Sequence, residues 1–210
     1  MIIIIGYPRT GTSILFKSLE NAGFNGGPDL GGHKYKSEDQ YFKKIIHSIM
    51  DGISETGGIS ERLKKHIENY FGVYCKQNNI DIVKNPWFWK VLPIWGSVCP
   101  ELKEAKFIWT RRNPLETAKS YMRVAEKRRK RVNDLIGYRF TVNFILNEIK
   151  QQEEIIRAYI GFLTYKTVWL EDMLAKPERT FAEISDFVGR EVSPKLIDPQ
   201  QTYAMNGRIN

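Results

Sequence analysis

The chain opens on four β-branched residues in a row, Ile2–Ile5. An unbroken apolar run fits a strand buried on both faces, as in a parallel sheet. The period then changes. After the loop "GYPRTGTS", Ile14, Leu15, Leu19 and Ala22 share one helical face, and Gly23 is placed to cap it. "GFNGGPDLGGHKYK" is glycine-rich and reads as a loop. Ser37, with Gln40 three residues on, forms a capping box for a helix that turns Tyr41, Phe42, Ile45, Ile46 and Ile49 inward until "SETGG" interrupts it. A helix over about 60–76 lines up Leu63, Ile67, Phe71 and Tyr74. "IDIVKNP" predicts a short strand ending at Lys84 and stopped by Pro86. "AKFIWTRRNP" predicts another, ending at Arg111 and Arg112. Asn113 then caps a helix with Pro114 at its tolerated first position and Leu115, Ala118, Met122 and Ala125 inside. A long helical pattern covers about 139–160, "YKTVWLE" reads as a fourth strand, and "PERTFAEISDFVG" as a closing amphipathic helix between Pro177 and Gly189.

Strands alternating with helices imply βαβ units and a parallel sheet, hence an α/β fold. No internal repeat, low-complexity tract or linker divides the 210 residues, so one domain over 1–210 is the economical reading.

Composition adds one constraint. With 42% hydrophobic and 27% charged residues the chain is of ordinary globular type, yet 32 Lys+Arg against 24 Asp+Glu leave a net charge of +8. That excess suits anionic partners: nucleotides, phosphate or sulfate groups, acidic glycans, nucleic acid or a membrane surface. Cys75 and Cys99 provide neither a disulfide framework nor metal-ligand spacing. No segment approaches the roughly 18 apolar residues of a membrane span, and no signal peptide is recognisable, so the expected location is cytoplasmic.

The chemistry concentrates at two places. Gly6 and Gly11 have the spacing of a phosphate-binding loop, G-x-x-x-x-G-K-[ST], and Ser13 supplies its hydroxyl, but Thr12 stands where the lysine belongs and Arg9 sits three positions earlier. Backbone N–H groups of such a turn, running into a helix N-terminus, cradle an anion. Thr10, Thr12 and Ser13 add donors, and Arg9 projects a cation from the crest. The bland alternative is a glycine turn that merely links strand to helix. The second place is "RRNPLETAKS". An arginine at the carboxyl end of a parallel strand faces the ligand crevice of an open α/β sheet. Ser120 lies eight residues beyond Arg112, about two helical turns on. A guanidinium fork with a hydroxyl suits a second phosphate. Taken alone, the pair reads as a surface charge and an ordinary helical serine.

Together these motifs resemble those of the sulfotransferases that use 3′-phosphoadenosine-5′-phosphosulfate. The family's loop for the 5′-phosphosulfate is matched by Pro8, Arg9, Thr10, Gly11, Thr12 and Ser13, and its arginine–serine pair for the 3′-phosphate by Arg112 and Ser120. "VKNP" at Val83–Pro86 is similar to its "VKxP" segment, and "VWLEDMLAKPERTFAEISDFVG" to its late strand and helix. The resemblance runs from residue 1 to about 189. It implies a three-layer α/β sandwich with a central parallel sheet and P-loop NTPase-like topology. It also implies an enzyme closer to bacterial and carbohydrate-type members, with that nucleotide as donor and adenosine 3′,5′-bisphosphate as product. The acceptor would be a hydroxyl or amine of a carbohydrate or small molecule, with neither metal nor nucleic acid required.

Arg9 and Lys84 are then the candidates for stabilising charge on the bridging oxygen. Glu38 resembles the acid that serves as base in carbohydrate and bacterial members, although a carboxylate in a first helical turn also simply favours the helix dipole. His33 is the runner-up. Cytosolic phenol and steroid enzymes carry a histidine two residues after the "VK" lysine; Pro86 stands there, so none carries over. No glycine-rich nucleotide-closing segment is recognisable in "PQQTYAMNGRIN". "EKRRKR" (126–131) reads as a solvated face or an acid-binding stripe, and "WFWKVLPIW" as core aromatics or a platform for a ring. Two other readings stay open: a P-loop kinase of a nucleoside or small metabolite, and a non-enzymatic basic module for nucleic acid or another polyanion.

Overall fold

Ile2–Gly6 forms strand β1, every residue of it buried. Successive side chains of a strand point to opposite faces. Ile3 and Ile5 accordingly join one core with Val83, Phe107 and Trp109, while Ile2 and Ile4 join another with Ile82, Ile108 and Val168. Fully burying such a side chain is worth about 1.5–3 kcal/mol, so β1 anchors both cores at once. The computed structural model describes residues 1–27, 40–56, 59–132 and 141–195.

Strands β2 (Ile82–Lys84), β3 (Lys106–Arg111) and β4 (Tyr165–Trp169) complete a parallel sheet in the order β2-β1-β3-β4. Helices α1 (Thr12–Asn21), α8 (Leu170–Ala175) and α9 (Pro177–Val188) cover one face. The other face packs against α2 (Gln40–Thr56), α3 (Glu61–Asn69), α4 (Cys75–Gln77), α5 (Phe88–Val98), α6 (Pro114–Val132) and α7 (Val142–Ile160). The result is the expected three-layer α/β sandwich. From β1 the chain goes outward to β2 and then crosses to the opposite side of β1 for β3. The crevice of this reversal opens at the carboxyl ends of β1 and β3, where ligands of open α/β sheets bind. Among the described residues no helix is long and apolar enough to cross a membrane.

Local structure follows the sequence with informative departures. Helix α1 closes as anticipated around Gly23 (φ 86°): Phe24 N–H reaches Leu19 O and Gly23 N–H reaches Glu20 O, the paired bonds of a Schellman ending. Ser60 caps α3 through Leu63 N–H, but the helical path is not uniform, because Tyr70–Tyr74 forms a π turn. Its wider turn lets both Tyr70 and Phe71 face the core. Ser37 and its capping box lie outside the described residues. Leu115, expected inside, is 45% exposed. Asn113 sets the start of α6 by accepting from Leu115 and Glu116 N–H, and the inward face of that first stretch belongs to Thr117, Ala118 and Ser120. Helix α7 is capped by Thr141, and Arg139, near its expected start, lies outside the described residues. The "YKTVWLE" strand ends at Trp169, and Leu170–Glu171 already belong to α8. In "WFWKVLPIW", Phe88, Trp89 and Trp95 are buried in α5, which continues through Pro93. The core reading therefore holds for three of its aromatics, and Trp87 is half-buried against Tyr7.

Candidate functional site

The loop between β1 and α1 is shaped by what crosses it. Gly6 pairs with Thr110 in the β1–β3 register. A Cβ on Gly6 would lie 2.2 Å from Thr110 Oγ1 and 2.6 Å from Thr110 O, so only glycine lets β3 approach this closely. Gly11, at φ 93°, is the N-cap of α1. A Cβ there would meet Met173 Cε at 2.8 Å and Leu170 Cδ1 at 3.0 Å, so α8 lies directly over the turn. Thr10 is 4% exposed; its hydroxyl donates to Tyr7 O at 2.7 Å and shares a 2.9 Å hydrogen bond with Thr110 Oγ1. Thr110 was not singled out from the sequence, where it is one more polar residue before two arginines. Its position opposite Gly6 emerges only with the strand order.

Arg9 has φ 80°. A left-handed conformation costs a residue bearing a Cβ about 1–2 kcal/mol relative to glycine, so the crest holds a cation in a place that favours glycine. The first α-helical bond runs from Leu15 N–H to Gly11 O. The amides that precede it in α1 form the positive end of the helix, beneath that crest.

The cations expected from the sequence converge here from separate elements. Lys84, at the end of β2 and 3% exposed, donates from Nζ to Ser13 Oγ at 3.1 Å. Its charge sits in a low-dielectric surround, where it acts more strongly on a nearby anion than a solvated lysine does. Arg112 follows β3 and reaches Arg9 O from Nη1 at 3.5 Å. Ser120, 5% exposed on α6, accepts from Arg9 Nε at 3.2 Å. Pro8 and Gly11 are half-buried in the turn, and Thr12 is 5% exposed at the start of α1. The neighbour of Arg112 points elsewhere: Arg111 pairs with Glu153 and lies over the rings of Trp109 and Trp169, at 4.7 and 4.4 Å. Strand alternation divides the two arginines between a structural stack and the crevice.

Beside the loop, the Tyr7 hydroxyl donates to Glu148 Oε2 at 2.9 Å, and Lys90 Nζ pairs with Glu148 Oε1 at 2.7 Å. Burial, and then the Glu148 charge and hydrogen bond, push the Tyr7 phenol far above its ordinary range. Its hydroxyl is engaged as the donor to Glu148. Glu38 and His33 lie outside the described residues. The backbone of Lys127–Arg131 belongs to α6.

Comparison with known proteins places the chain in a family. The model of the sulfotransferase family matches residues 2–194. Among solved structures, the chain is similar to the sulfotransferase domain of the curacin biosynthetic pathway, with a TM-score of 0.58 and 16% identity over 95% of this chain and 77% of that one. It is similar to the sulfotransferase domain of the Synechococcus olefin synthase, with a TM-score of 0.57 and 16% identity over 95% and 76%. It is also similar to shikimate kinase from Bacteroides thetaiotaomicron, with a TM-score of 0.51 and 13% identity over 90% and 97%. At these identities the structural likeness establishes a shared P-loop-like fold. A search of curated protein sequences found no match.

Proposed function

The chain belongs to the sulfotransferase family, and from that premise we propose that it moves a sulfuryl group from 3′-phosphoadenosine-5′-phosphosulfate to a hydroxyl or amine of a carbohydrate or small-molecule acceptor. The observation that carries the reading is the Arg9–Ser120 hydrogen bond, which draws the phosphate loop and the helix of the second anion motif to one crevice.

The residues fit such a nucleotide. The loop between Gly6 and Gly11 has backbone donors, hydroxyls and a helix N-terminus for the 5′-phosphosulfate. Arg112 and Ser120 stand on the β3 side of that loop, and Lys84 on the β2 side, because β2 and β3 flank β1 on opposite sides. The reading therefore assigns the 3′-phosphate to Arg112 and Ser120 and the sulfuryl end to the Lys84 side. When bound, the nucleotide supplies the sulfuryl group and leaves as adenosine 3′,5′-bisphosphate. Pro8, Arg9, Thr10, Gly11, Thr12 and Ser13 bind its 5′ end. Arg9 and Lys84 hold positive charge where negative charge grows on the bridging oxygen, a role that needs fixed charges more than covalent chemistry. Glu38 is the proposed base that takes the proton of the acceptor hydroxyl, with His33 as the other candidate.

Calorimetry with adenosine 3′,5′-bisphosphate tests the assignment. Binding at sub-millimolar concentration, with ATP binding more weakly, is the expected result. Absence of binding would sink the assignment, and a preference for ATP with Mg²⁺ would return the protein to the kinase reading. Steeply salt-dependent binding to DNA without affinity for the nucleotide would mark a basic module instead.

A further inference from the structure

Helix α8 touches both halves of the anion site. Its Leu170 and Met173 lie over Gly11, and its Glu171 accepts the backbone N–H of Asn113 at 2.9 Å. Asn113 immediately follows Arg112 and is the residue whose carboxamide caps α6.

The position of that hydrogen bond follows from strand geometry. Phe107 N–H donates to Thr164 O at the start of the β3–β4 ladder. N–H groups on one edge of a strand recur every second residue, so Asn113 belongs to the same row as Phe107. The paired register ends at Arg111 and Trp169, where β4 turns into α8 and no longer offers a strand carbonyl. The Glu171 carboxylate takes the place of the next acceptor. It ties the β3–α6 junction to the element that packs on the phosphate loop.

We propose that Glu171 is a positioning residue for the second anion subsite: through Asn113 it fixes the backbone that aims Arg112, and α8 sets the spacing between that subsite and the Gly11 turn. This rests on the donor-site reading above. Glu171 needs no contact with the nucleotide, and its function requires an acceptor oxygen rather than a charge.

The experiment compares adenosine 3′,5′-bisphosphate with adenosine 5′-monophosphate, which lacks the group that Arg112 would hold. Both are titrated into wild type, E171A, E171Q and E171D, with ligand-free thermal unfolding measured alongside. Loss of one hydrogen bond that orients a charged side chain predicts about 5- to 10-fold weaker bisphosphate binding by E171A, with the monophosphate changed less than about twofold. E171Q keeps the acceptor oxygen and is expected within about twofold of wild type, whereas E171D, one methylene short, behaves like E171A. If E171A fails to fold, the E171D and E171Q pair decides the matter. Equal losses for both ligands, no loss for either, or an E171Q variant as impaired as E171D would overturn the proposal while leaving the donor assignment standing. A wild type that binds neither ligand removes the donor assignment and this inference with it.

Discussion

Arg9 Nε donates to Ser120 Oγ at 3.2 Å across 111 positions of sequence. Arg9 does so from a left-handed backbone at φ 80°. The bond joins the crest of the loop after β1 to the second turn of α6, so one side chain links two segments that each resemble an anion site.

Because that conformation favours glycine, function and stability should separate at position 9. Arg9→Gly is expected to unfold within about 1 kcal/mol of wild type or at higher stability, since relief of the left-handed strain opposes glycine's greater chain entropy. Sulfuryl transfer should fall by about 100-fold or more, with a smaller change in affinity for the bisphosphate. Thermal unfolding, calorimetry and turnover on one preparation check this. A loss of stability that parallels the loss of activity would make Arg9 a structural residue.

Arg112→Ala should weaken adenosine 3′,5′-bisphosphate by about 10- to 100-fold, the range for a hydrogen bond to a charged group. The monophosphate should be affected far less. Arg111→Ala makes the contrast: it breaks the Glu153 pair and the stack on Trp109 and Trp169, so it should lower stability first. Reversed effects would exchange the two arginines' roles.

Gly6→Ala should destabilise the protein by about 1–3 kcal/mol, as overpacking does, and abolish nucleotide binding. Thr110→Ala in the same chain is not expected to restore it. Removing the Thr110 hydroxyl clears one obstacle, but the Thr110 carbonyl, 2.6 Å from the new Cβ, stays in place. Recovery of binding in the double variant would show that the hydroxyl alone sets the limit.

Cys99 is buried, and its thiol lies 3.2 Å from Glu101 Oε2. Burial first, then the Glu101 hydrogen bond and charge, push the thiol up to about 12 from 9.0. The thiol should resist iodoacetamide at pH 8 until the protein unfolds, since the thiolate is the nucleophile. The sign for stability follows: the unfolded thiol releases its proton first as pH rises, so this stabilising contribution is complete below about pH 9 and declines as pH climbs toward 12. Alkylation in native buffer and denaturation at pH 8 and pH 10 test both statements. Rapid native alkylation would contradict the buried thiol.

Glu38→Gln should nearly abolish transfer, by about 100-fold or more, while leaving bisphosphate affinity within about threefold, because a general base acts on the acceptor and not on the nucleotide. Unchanged turnover would pass the role to His33, and His33→Ala is the companion measurement.

The sequence was sufficient where one local pattern leaves one solution. Ile2–Ile5 fits a strand with two buried faces, and the tetrad serves two cores. Gly6, Gly11 and Ser13, placed between a strand and a helix, point to a candidate anion site before any contact is known. Arg112 and Ser120 could be paired through helical periodicity and the family's spacing. Leu115 departs from the helical pattern because it occupies the cap turn of α6, where Asn113 rather than hydrophobic periodicity sets the orientation. Leu170 and Glu171 read as strand because β-branched and aromatic neighbours precede them, while in the structure they open a short helix whose Leu170 and Met173 pack over Gly11.

What the sequence by itself determined is the repertoire: an α/β chain, two candidate anion motifs and the cations beside them. Tertiary structure alone decided how those parts meet. The order β2-β1-β3-β4 brings Lys84 and Arg112 to opposite sides of one loop. It puts Thr110 against Gly6, gives Arg9 to Ser120, and leaves the Asn113 N–H for Glu171 to receive. These relationships depend on strand adjacency, which is set by how the crossovers cover both faces of the sheet. A strand buried on both faces shows in the chain as an apolar run, but its neighbour in the sheet does not, so residues joined only through the sheet stay invisible until it is assembled.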